Sequence, residues 1–126
     1  MRISRVETFS TPDVGFVRVT TDGGETWTAI LTVDEHTGIN EFIVDPTDFD
    51  TIVASSYQRR RHVWVLINGG PGSGIYKSTD RGESWSEVKA GLPSDDMGSI
   101  GLAGAASLRD ILYAIIGQRG DAHRAY

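Results

Sequence analysis

The sequence predicts an all-β fold built from antiparallel four-stranded units, the blades of a β-propeller. Three observations carry that expectation. Apolar residues alternate over short runs rich in β-branched and aromatic side chains, each bounded by Gly, Pro, Asp or Ser, which is the signature of strands. No segment carries a capped amphipathic stripe of helical period. The chain also repeats itself. TTDGGETW at 20–27 matches STDRGESW at 78–85, with Asp22 and Asp80 58 residues apart, and TIVA at 51–54 matches ILYA at 111–114, 60 residues later. A unit of roughly sixty residues holding four short strands fits a propeller blade.

The elements follow in order. After an N-terminal segment, 1–14, the stretch GFVRV (15–19) reads as a strand, as does the run from Trp27 through Ile30 and Leu31. With the Asp/Gly hairpin between them they make 15–33 the second half of a blade. Ile39, Phe42 and Val44 lead to a turn at Asp45-Pro46; Ile52 to Ala54, Val63 to Ile67, Ile75-Tyr76 and Trp85 to Val88 read as further strands, giving a complete blade over 38–90. Ile100 and Leu102, then Ile111 to Ile116, supply the first half of another blade over 98–117, followed by a tail at 118–126. The sum is half, whole, half. Propellers close with about four to eight blades, so the expectation is a fragment. It is completed by the remaining blades of a longer chain or by a homo-oligomer.

Composition narrows the function classes. The 126 residues carry 12 basic and 17 acidic side chains, a net charge of -5, which argues against a nucleic-acid partner. No cysteine is present, so there is no disulfide framework, thiol nucleophile or Cys-based zinc site. No apolar run approaches the roughly 18 residues of a membrane span, and no signal peptide is visible in the first residues.

The two boxes resemble the Asp-boxes, or BNR repeats, of sialidase-like and sortilin/Vps10-like propellers. The segments YQRRRHVW, GGPGSGIYKSTDRGESW and GLP are similar to those of bacterial sortilin-N-terminal-like BNR-repeat proteins. That resemblance covers most of the chain. It implies a non-catalytic scaffold for protein, peptide or glycan binding, in an exported or periplasmic setting. Its alternative is a fragment of a glycoside hydrolase, since sialidases and xyloglucan-cleaving enzymes share the box.

Residue chemistry favours structure over catalysis. Asp22 and Asp80 can accept backbone N–H bonds across their hairpins. Gly24 and Gly82 can supply a positive φ. Thr26 and Ser84 offer a hydroxyl to close the network, and Trp27 and Trp85 can bury a ring against the neighbouring sheet. The glycines at 69–74 do not fit a phosphate loop, because Ile75 and Tyr76 follow where Lys and Ser/Thr are needed; they read as a flexible connector. Arg59, Arg60 and Arg61, flanked by Tyr57 and Trp64, form the one cationic cluster and the candidate ligand-binding group. Asp34-Glu35-His36 is the strongest of weak catalytic candidates. The acids at 45–50 read as turn formers. His36, His62 and His123 lack metal-ligand spacing, and neither a cofactor, a metal nor a catalytic residue is expected.

Overall fold

The computed structural model describes residues 3–10, 15–21, 29–61, 63–64, 66–118 and 123–125. All ten elements among them are strands and every pairing is antiparallel. β1 (Ile3–Ser10) pairs with β2 (Gly15–Thr21) as a two-stranded ribbon. β3 (Thr37–Val44), β4 (Ile52–Arg61), β6 (Gly74–Ser78) and β7 (Ser86–Val88) form a meander in sequence order. β5 (Leu66–Asn68) pairs with the far end of β4, so that Arg59, Arg60 and Arg61 lie opposite Asn68, Ile67 and Leu66. β8 (Met97–Ala105), β9 (Leu108–Gln118) and β10 (His123–Ala125) make a third sheet in the order β10-β9-β8.

The core lies between the second and third sheets. Ile100 and Ile116 are opposite each other on β8 and β9 and fully buried. With Met97, Leu102 and Ala114 they pack against Ile75, Ile43, Val53 and Val88 of the meander. Strand alternation produces this face, because β4 sends Val53 and Ser55 one way and Ala54 and Ser56 the other. The opposite face of the meander carries Ile39, Phe42, Ala54, Tyr76 and Trp85, and Ile30 and Leu31 cover it.

A register shift between Ile39 and Glu41 interrupts the β3–β4 ladder. Such a bulge re-aims side chains. Here it directs both Asn40 and Glu41 to the backbone of β8. Asn40 Nδ2 donates to the Ile100 carbonyl at 2.8 Å, and Glu41 Oε2 accepts from the Leu102 N–H at 2.7 Å. Ser55 Oγ donates to the same Ile100 carbonyl at 2.9 Å. The two sheets are therefore joined by apolar burial and by polar groups fixed in register.

Three sequence expectations change. Residues 29–33 form no strand; Ile30 and Leu31 instead lie as cover on the meander. The partner of β2 is β1, within the segment that carried no expected element. The 69–74 connector is held rather than flexible: Gly70, Gly72, Ser73 and Gly74 are buried. Gly70 N donates to the Met97 carbonyl at 3.1 Å, and Ser56 Oγ donates to the Gly72 carbonyl at 2.7 Å. A Cβ at Gly69, which has φ +94°, would stand 2.6 Å from the Met97 carbonyl oxygen.

Truncating Ile116 to Ala should leave a cavity in the inter-sheet core and cost roughly 2–5 kcal/mol. Guanidinium titration of the two proteins measures it; an unchanged midpoint would show that the sheets do not share this core.

Candidate functional site

Antiparallel order sorts the chemistry to two ends of the meander. The β3–β4 and β6–β7 turns lie at one end; the 34–36 segment, the β4–β5 hairpin and the 69–73 loop lie at the other.

At the first end, residues 78–85 form a turn organised by a buried hydroxyl and a carboxylate. Ser78, 1% exposed, donates from Oγ to Asp80 Oδ1 at 2.7 Å and accepts from Gly82 N at 2.8 Å. Asp80 Oδ1 accepts from Ser84 N at 2.9 Å, and Oδ2 accepts the Ser84 hydroxyl. These bonds favour the ionised form, those from Ser84 first, and hold the Asp80 carboxyl down at about 2. Arg81 and Gly82 both adopt positive φ, 62° and 88°, and a Cβ at Gly82 would come 2.7 Å from Ile30 Cδ1. Trp85 is half-buried against the cluster under Ile30 and Leu31, with Nε1 donating to the Gly82 carbonyl at 3.0 Å.

The neighbouring β3–β4 turn is built the same way. Asp45 Oδ1 accepts from Thr47 N and Oγ1, both at 2.8 Å, and Asp48 accepts from Asp50 N and from the Thr51 hydroxyl. Arg81 ties the two turns together, its guanidinium pairing with Asp50 and its N–H donating to the Asp50 carbonyl at 3.0 Å. Asp50, first among the causes, raises the Arg81 pKa further. Four carboxylates in this region thus hold turns.

At the other end the candidate binding residues separate onto two faces of the β4–β5 hairpin. Tyr57, Arg59 and Arg61 share one face by strand alternation, and the Tyr57 hydroxyl donates to Asn68. Arg60 is on the other face, where its guanidinium contacts His36 Nε2. Glu35 Oε1 lies 3.2 Å from the same nitrogen. With the ring proton on Nδ1, Nε2 accepts from Arg60; with a proton on Nε2, it donates to Glu35. Trp64, near the hairpin tip, is 84% exposed. The 34–36 segment is itself held, with Asp34 Oδ1 accepting from His36 N and Oδ2 from the Thr37 hydroxyl, both at 2.7 Å.

The structure thus brings Tyr57, Arg59 and Arg61 together, joins Arg60 to His36 and Glu35, and sets Ser84 and Trp85 around Asp80 and Gly82. Asp22, Gly24, Thr26, Trp27, His62 and His123's side chain lie outside what is described. Sequence reasoning overlooked Ser78, whose hydroxyl is the centre of its turn, although the Ser/Thr opening each box was the signal. It also overlooked Gln58, which accepts from Gly72 N at 2.8 Å and seats the glycine loop. Among the described residues no group of three His, Cys, Asp or Glu side chains is placed to hold a metal ion, and no helix is long and apolar enough to cross a membrane. The chain matches no protein-family model, no curated protein and no solved structure.

Because folding depresses the Asp80 pKa from 3.8 to about 2, its contribution is complete above about pH 4. It is lost as pH falls through about 2. Acid titration followed by circular dichroism should show this loss, and Asp80→Asn should flatten the curve across that window; coincident curves would remove Asp80 from the stability of the turn. Ser78→Ala, which leaves the buried Gly82 N–H without its acceptor, should cost roughly 1–3 kcal/mol in a denaturant titration. Trp85→Ala should cost about 3 kcal/mol, the low end for a large aromatic, because the ring is half-buried.

Proposed function

We propose that this chain is a segment of an Asp-box β-propeller of the sortilin-N-terminal-like kind, serving as a non-catalytic scaffold that binds a protein, peptide or glycan ligand. The observation that carries the reading is the turn at 78–85. Its Ser78–Asp80–Gly82–Ser84 network is built into a four-stranded meander whose face packs on the next sheet. A carboxylate committed to three hydrogen bonds and a pKa near 2 is suited to holding backbone, not to exchanging protons near neutrality.

Ligand contact belongs to the opposite end, on the hairpin face of Tyr57, Arg59 and Arg61. The two guanidiniums are exposed and two residues apart on one strand, about 7 Å at strand rise. Forked cations beside a phenol suit carboxylates and other planar acceptors. The direct test is a panel of acidic peptides and glycans read by biolayer interferometry. Binding that falls roughly 10-fold or more in the Arg59→Ala/Arg61→Ala double variant is expected, since hydrogen bonds to charged groups contribute about 1.5–3 kcal/mol. A panel without binders would sink the scaffold reading, and turnover of any glycan would replace it with a hydrolase.

A further inference from the structure

The β4–β5 hairpin projects beyond the meander. The β3 ladder on β4 ends at Gln58 and the β6 ladder at Ser56; past them Arg59, Arg60 and Arg61 are paired with β5. The root of the projection is held. Gly69 N donates to the Gln58 carbonyl at 2.9 Å, and Arg59 N donates to the His36 carbonyl at 3.4 Å. The tip is apolar and faces water: Val63 is 98% exposed, Trp64 84%, and Leu66, the first residue of the returning strand, 52%. Among the described residues no other large apolar side chains are as exposed as Val63 and Trp64.

Behind the tip the charge has one sign. Residues 51–79 hold Arg59, Arg60, Arg61 and Lys77 and no Asp or Glu, in a chain whose net charge is -5. Arg59 and Arg61 take one face of the hairpin and Arg60 the other, so cations flank the stem on both sides. Glu35 reaches this region through His36, on the side of Arg60. An apolar point thus stands on a cationic collar. A peptide is gripped along one face or in a groove, whereas this point is convex and its cations lie to either side. A negatively charged surface that the tip enters end-on meets both faces at once.

We infer that the hairpin tip docks on an anionic lipid surface. Trp64 and Val63 enter the boundary between headgroups and acyl chains, and Arg59 and Arg61 meet the lipid phosphates. Tryptophan favours that boundary because its ring is apolar while its N–H still finds a polar partner. Arg59 and Arg61 are about 7 Å apart along the strand, which matches a headgroup layer roughly 5–8 Å deep on each side of a bilayer. The arginines therefore span the layer whose inner boundary the tip reaches. Entry stays shallow, so backbone groups of the turn keep their water. Attraction between the arginines and anionic headgroups adds about fivefold in affinity for each cation. The inference goes beyond the scaffold reading and shares Arg59 and Arg61 with it, so an acidic peptide and the lipid surface compete.

Co-sedimentation with vesicles tests it, using phosphatidylcholine alone and phosphatidylcholine with roughly one quarter phosphatidylserine. The expected result is binding at least about 10-fold tighter to the anionic vesicles, weakening as salt is added. Trp64→Ser and the Arg59→Ala/Arg61→Ala double variant should each lower the partition coefficient about 10-fold or more, with unchanged circular dichroism spectra. Lipids brominated on the acyl chain should quench tryptophan fluorescence in the parent chain but not in Trp64→Ser. Acidic peptides separate this inference from the scaffold reading, because Trp64→Ser should leave their capture unchanged. Vesicle binding without any peptide binding would remove that reading and leave this one standing. No sedimentation with anionic vesicles would overturn the inference. So would equal binding to neutral vesicles, or anionic binding that Trp64→Ser leaves unchanged.

Discussion

Everything in this molecule hangs on burying sheet faces against other sheets. A meander of four short strands has two faces and too little interior of its own to be stable alone. One face is satisfied by the β8–β9 sheet through Ile100, Ile116 and Leu102, the other by Ile30 and Leu31. Hydrophobic contact is not directional, and it would tolerate sliding of one sheet on the other. The side chains of Asn40, Glu41 and Ser55 remove that freedom, because each must meet a particular backbone group of β8. Apolar area supplies the attraction and three polar groups supply the register.

The same division of labour separates the two ends. Short strands need tight turns, and tight turns leave backbone N–H groups without ladder partners. Asp45, Asp48 and Asp80 accept those donors. Acids that look numerous enough for catalysis are thereby occupied in holding backbone. The cationic cluster sits at the other end, on a hairpin that extends past the sheet. Arg59 and Arg61 share their face with Tyr57, while Arg60 is engaged with His36.

Much of this was legible in the sequence. Alternation located β3, β4, β6, β8 and β9, because each has a buried face that imposes the period of two. The second box was readable to the level of the Asp80 carboxylate and the Gly82 backbone, since positive φ and turn acids restrict residue choice strongly. The bulge was not legible: Asn40-Glu41 is an ordinary polar pair until a strand 60 residues away places its edge beside it. The division of the arginines was also hidden, since a run of three identical residues shows nothing about which face each takes until pairing with β5 is known. Ile30 and Leu31 read as strand because apolar residues that cover a sheet and those within one are alike in composition.

The glycine loop at 69–74 has a consequence for how the units are spaced. Its backbone touches Met97, and at Gly69 and Gly72 there is no room for even one more carbon. The loop works as a shim. Its thickness sets the gap between the hairpin of one sheet and the first strand of the next. A single methyl added at Gly69 would press on the Met97 carbonyl and wedge that gap open.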